Sequence, residues 1–221
     1  ASIDRRMVAL DGTPNKAKLG ANAILGVSLA CARCASIIEN TPLYTRLGGK
    51  NVLPIPFMNV INGGKHADNK LSFQEFMIAP KAKTFAESLR IGAETYHMLK
   101  KVIKKKYGSN STNVGDEGGF APDLKGELEA IHLLLDTIDS LGYQKEVKLA
   151  MDVASSEFYE NGKYVVGGKA MGAPELMDIY KGLIKDYPII SIEDPFAQDD
   201  FTAWQEFSKK TNIQVVGDDL L

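Results

Sequence analysis

The residues whose types and spacing can do chemistry are mostly acids. Three short apolar runs, 147–152, 189–194 and 213–219, end in carboxylates: Asp152, then Glu193 and Asp194, then Asp218 and Asp219. If these runs are parallel strands, Asp152, Glu193 and Asp218 converge at one end of them. Three carboxylates within a few ångströms repel one another strongly unless a cation lies among them. No Cys or His accompanies them, so the donor set is all oxygen. Such a set favours a hard cation, Mg²⁺ first and Mn²⁺ next. The alternative is that each acid terminates its strand independently.

Glu117 lies in Gly-Asp-Glu-Gly-Gly at 115–119, where the glycines allow positive φ and close approach to a ligand. An acid in such a loop is a candidate general acid or base. A phosphate cradle is the rival reading, and Asp116 beside Glu117 makes that loop repulsive to phosphate. His66, in Gly-Gly-Lys-His-Ala-Asp at 63–68, can donate to an oxyanion or shuttle a proton, or simply be a solvated loop side chain. Strict alternation puts Glu75 on one strand face with Phe73 and Met77. An acid on an apolar face is either paired or functional. His97 and His132 fall within helical patterns and receive no role. Cys31 and Cys34 have redox-pair or half-zinc-site spacing. With no second pair, the structural reading is preferred, as small buried residues of a helix, and two free thiols fit a reducing compartment.

The elements that must position these residues are legible in outline. A helix is predicted over 15–39, strands over 52–61 and 73–78 joined as a hairpin through Asn62-Gly63-Gly64, and helices over 86–107 and 127–141. The basic end of the 86–107 helix (Lys100, Lys101, Lys104, Lys105, Lys106) reads as a solvated terminus that complements the helix dipole rather than a phosphate patch. Helices over 173–187 and 199–211 then separate the three acid-ended runs. Strand and helix alternating in this way indicates βαβ units on a parallel sheet. Carboxylates at three successive strand ends favour a barrel, whose site is built at the strand C-termini. A domain boundary is placed near Lys50, giving 1–50 and 51–221.

Twenty-six basic against 28 acidic residues leave a formal charge of −2, which argues against a dedicated nucleic-acid or membrane-surface binder. No run of about 18 uninterrupted apolar residues is present, and no signal-peptide pattern is visible.

Taken together, Leu19-Gly-Ala-Asn-Ala-Ile-Leu-Gly-Val-Ser, Asn62-Gly-Gly-Lys-His66, Gln74-Glu75-Phe-Met-Ile, Gly115-Asp-Glu117-Gly-Gly, Ser155-Ser-Glu-Phe, Ser191-Ile-Glu193-Asp-Pro-Phe and Val216-Gly-Asp218-Asp-Leu resemble the enolase family from end to end of the chain. The resemblance implies a small α/β N-terminal domain followed by a TIM-like barrel of the form ββαα(βα)n. On it, 1–50 is the end of the first domain and 51–221 an incomplete barrel with about five of eight strands. It also implies a cytoplasmic, glycolytic hydro-lyase that reversibly dehydrates 2-phosphoglycerate to phosphoenolpyruvate, acts as a homodimer, uses two Mg²⁺ per site, and binds neither nucleic acid nor membrane. Members of this superfamily use a Lys or His base with Mg²⁺. By motif, Asp152, Glu193 and Asp218 match the ligands of the tighter Mg²⁺, and Asp218 also lines the substrate site. Glu117 matches the acid that protonates the departing hydroxyl, and Glu75 its partner that positions hydroxyl and water. His66 matches a mobile-loop residue that closes over substrate.

The base, and the residues that hold the substrate's phosphate, would lie beyond Leu221, so the 221 residues alone are expected to be inactive, with the edge at 213–217 unpaired. Lys65 and Asp68 depart from the usual Gly-Gly-Ser-His-Ala-Gly, and 165–172 reads as shorter than in many relatives. A related barrel lyase or racemase, and a non-catalytic relative, are the competing readings. The Glu75 and Glu117 motifs weigh against the first, and the clustered acids against the second.

Overall fold

The computed structural model describes residues 2–115 and 117–221, so Asp116 lies outside the described residues. The chain divides into two compact units, 1–53 and 54–221.

The first unit is helical, with α1 (Ser2–Asp11), α2 (Ala21–Ile38) and α3 (Leu43–Arg46). The helix predicted from residue 15 begins only at Ala21. Asp11 holds the preceding turns by accepting from Thr13 N–H at 3.0 Å and Leu19 N–H at 2.7 Å, and Gly20 enters the helix at φ +87°. A left-handed residue there cannot be helical, so the helix starts after it. Cys34 is exposed and Cys31 partly so, which corrects the buried-residue expectation for this pair. Among the described residues, α2 is the one helix long and apolar enough to cross a membrane by length and composition, with mean hydropathy 1.6 over 18 residues. The uninterrupted-run criterion missed it because Asn22, Ser28 and Arg33 break the run.

The second unit opens with a hairpin, β1 (Met58–Asn62) and β2 (Glu75–Pro80). β1 is shorter than predicted because Pro54 and Pro56 have no N–H to give to a ladder. Two helices follow, α4 (Phe85–Tyr107) and α5 (Glu127–Ser140). The Thr84 side chain caps α4 by accepting from Glu87 N–H at 3.1 Å, and Gly108 at φ +91° ends it, leaving Lys104, Lys105 and Lys106 exposed. Next comes β3 (Val147–Asp152). A small antiparallel sheet follows, β4 (Tyr159–Glu160), β5 (Lys163–Val166) and β6 (Lys169–Met171), which the sequence reading did not foresee. The chain then alternates as α6 (Ala173–Asp186), β7 (Ile189–Glu193), α7 (Phe201–Lys210) and β8 (Gln214–Val216).

The main sheet has the order β1-β2-β3-β7-β8, antiparallel through the first three strands and parallel from β3 to β8. β8 pairs with β7 alone among the described residues and forms an edge. One side of the sheet packs Phe76, Ile78, Leu149, Met151 and Ile192 against the helices. Tyr180, Phe196 and Phe207 continue that core as an aromatic triangle with centroids 5.7–5.8 Å apart. Trp204 lies beside them and donates its indole N–H to Phe196 and Ala197 carbonyls at 3.1 Å.

Phe207→Ala is expected to cost about 3–5 kcal/mol, because the side chain is fully buried and its neighbours are held by helix and sheet. Urea unfolding followed by the fluorescence of Trp204 measures it, and a loss below about 1 kcal/mol would contradict this packing.

Candidate active site

Strand register builds the site. Asn62 pairs with Glu75, Glu75 with Asp152, Asp152 with Glu193, and Glu193 with Val216. Partners in register point to the same face of a sheet. One row at one end of the sheet therefore carries an amide and three carboxylates across four adjacent strands, on the face turned away from the helices. Glu75 shares this face with Met77, which pairs with Ala150. Phe73 does not, contrary to the alternation expected from sequence. It precedes the strand and stacks in the core with Phe76 and Phe158, each 6.4 Å away.

A bulge places a second amide in the row. Register shifts between Asn59 and Ile61, so Asn59 and Asn62 both face the site although three positions apart. Asn59 donates from Nδ2 to Asn62 Oδ1 at 2.7 Å. The Glu117 loop lies on this pair. Phe120 N–H donates to Val60 O at 2.9 Å and Asn62 N–H to Phe120 O at 2.8 Å, which splices the loop's exit against β1. A Cβ on Gly119 would sit 2.2 Å from Asn62 Oδ1, and one on Gly115 2.2 Å from Asn62 Nδ2. No side chain fits at either position, which is why the motif needs glycine at both.

Glu75, Glu117 and His66 bring ligand atoms within 4.8 Å of one another. His66 Nδ1 lies 3.5 Å from Glu75 Oε1. Burial, followed by the hydrogen bond and charge of Glu117, pushes the Glu75 carboxyl upward. The same hydrogen bond, to a more exposed group, lowers Glu117. The pair therefore titrates as a unit, with burial favouring the neutral form on the Glu75 side and the charged form on Glu117.

Asp152 accepts from Ala154 N–H at 2.9 Å and Gln74 Nε2 at 3.1 Å, yet burial still pushes it up to about 6. Glu193 is pushed up to about 7 by burial, then by the charges of Asp152, Asp194 and Asp218. Asp218 lies two residues past the last paired residue of β8. Its carboxylate comes within 4.8 Å of those of Asp194 and Asp219, while its charge still acts on Glu193. The departure at Lys65 has a partner, since its Nζ lies 3.2 Å from Glu157 in the turn after β3.

Asn59, Asn62, Gln74 and Asp194 were not singled out by sequence reasoning. A polar residue at the end of an apolar strand was the available signal for Asn62. The bulge that turns Asn59 inward leaves none. A separate cavity of about 750 Å³ opens past the opposite end of β2, at Lys81, Thr84 and Arg90, away from this chemistry.

A row of acids at the strand ends of a sheet that runs antiparallel and then parallel, with helices between the parallel strands, is the layout of part of an α/β barrel. The family model for the enolase C-terminal TIM barrel domain matches residues 50–221, and that for the enolase N-terminal domain matches 1–47. The enolase of Methanocaldococcus jannaschii is 56% identical over 221 residues, covering 99% of this chain and 52% of that protein. The chain belongs to the enolase family, and it spans about half the length of that relative.

In metal-free protein, folding stability is expected to fall as pH rises between about 4 and about 7. Asp152 and Glu193 hold protons more tightly folded than unfolded across this window, so rising pH favours the unfolded state. Thermal melts in chelator measure it. Asp152→Asn should flatten the decline, and stability that rises across the window would contradict the assignment.

Proposed function

We propose that the whole protein is a glycolytic hydro-lyase that reversibly dehydrates 2-phosphoglycerate to phosphoenolpyruvate with Mg²⁺. The observation that carries this reading is the close pair Glu75–Glu117 set beside the strand-end acids Asp152 and Glu193. Asp152, Glu193 and Asp218 would supply an all-oxygen donor set, and the first two, raised by burial and then by neighbouring carboxylates, are acids that a cation would hold in the ionised form. A bound Mg²⁺ supplies positive charge that offsets these acids and the negative charge gathering on the substrate's carboxylate.

The remaining chemistry belongs to side chains. Removal of the proton on carbon 2 falls to the base that the family resemblance implies, and the hydroxyl on carbon 3 must leave as water. Glu117 is the exposed member of its pair and meets that hydroxyl. A proton passes to it from Glu75, and Glu117 delivers it to the leaving oxygen. Gln74 and the Ala154 N–H fix the orientation of Asp152. His66 closes over the substrate from its loop. The reading extends to a cytoplasmic homodimer that binds neither nucleic acid nor membrane. It assigns no base among these 221 residues, so this chain alone should give no turnover.

Glu117→Gln in the full-length protein should lower turnover by about 10²–10⁴-fold while divalent binding persists, since it removes a proton donor and no proposed ligand. The absorbance of phosphoenolpyruvate formed from 2-phosphoglycerate measures it. Near-normal turnover would overturn the role of Glu117.

A further inference from the structure

We infer that Asp194 is a positioning residue of the cation site: its buried carboxylate holds the chain after β8 so that Asp218 can join Asp152 and Glu193. The inference rests on reading those three acids as ligands. β8 pairs with β7 only through Val216, so the ladder ends before Asp218. What holds the chain beyond it is Asp194. Its Oδ1 accepts from Asp218 N–H at 3.1 Å and its Oδ2 from Asp219 N–H at 2.9 Å. Its own N–H donates to Val216 O at 3.0 Å, and its carbonyl accepts from Ser155 N–H at 3.1 Å. One residue therefore ties the end of β7 to the chain leaving β3 and to the chain leaving β8.

Two costs fall on this residue. Asp194 is 2% exposed, and among the described ion pairs none gives it a cation. Its φ is +40°, a left-handed conformation that strains a non-glycine residue. A strand end that needed only a terminus would carry neither. The left-handed turn lets consecutive acids do different work. Glu193 stays in the row with Asp152, while Asp194 reaches across to the backbone of the next strand. The close approach of the Asp194, Asp218 and Asp219 carboxylates follows from these backbone bonds and calls for no second ion.

The test compares wild type, Asp194→Asn and Asp194→Ala in the full-length protein, with Mn²⁺ alone as the binding probe and Mg²⁺ titrated in turnover assays. Residues that orient ligands typically alter metal affinity by about 10–100-fold. Asp194→Ala should raise the Mg²⁺ concentration for half-maximal activity by about that factor, with kcat largely regained at saturating Mg²⁺. Asp194→Asn retains one acceptor and should fall between. Amide hydrogen exchange on metal-free Asp194→Asn, which keeps the side chain's volume, should quicken at Asp218 and Asp219 before Val216. That reading stands even where the alanine variant fails to fold. Unchanged Mg²⁺ half-saturation in a wild type and Asn variant that both bind Mn²⁺ would overturn the inference, as would Mn²⁺ bound directly to Asp194. Failure of wild type to bind Mn²⁺ would instead overturn the ligand reading on which the inference rests.

Discussion

Repulsion among carboxylates in register is the constraint on which the site depends. The pairings Glu75–Asp152 and Asp152–Glu193 put three acids side by side across β2, β3 and β7. Neighbouring strands lie about 4.8 Å apart, so these charges cannot be spread without breaking the sheet. The sheet in turn is fixed by its opposite face, where Phe76, Leu149, Met151 and Ile192 pack against helices. A one-residue slip would move those apolar side chains into the acidic row, so core packing holds the acids together against their own repulsion.

Three devices make the row tolerable. Burial and the contact with Glu117 raise the Glu75 carboxyl and so favour its neutral form. Neutral and backbone donors, Gln74 Nε2 and Ala154 N–H, take up the lone pairs of Asp152. Asp194 turns away from the row and spends its charge on backbone amides of the next strand. What remains on Asp152, Glu193 and Asp218 is the charge that a divalent cation would neutralise.

Much of this was legible in the sequence for a definite reason. β3 reads as Val147–Asp152 both ways because an apolar run, interrupted only by the half-buried Lys148 and ending in an acid, is what a strand buried on both faces looks like. The hairpin and the long α4 were equally plain, from turn residues and a helical period. The shortfalls share a cause, which is that backbone geometry set by distant contacts overrides local pattern. Strict alternation put Phe73 beside Glu75, but the strand begins only at Glu75. Residues three apart on a regular strand face opposite sides, and the bulge at Val60 brings Asn59 and Asn62 to the same one. Asp194 read as one half of a double acid, and its left-handed turn is invisible without the chain around it.

The most direct measurement is an anomalous-scattering map of crystals of the protein soaked in Mn²⁺. The expected result is a peak bounded by oxygens of Asp152, Glu193 and Asp218 at about 2.1 Å, with Asp194 still bonded to backbone amides. A peak seated on Asp194, Asp218 and Asp219 instead, or none at a Mn²⁺ concentration that supports turnover, would contradict the claim that the strand-end row is built around a cation.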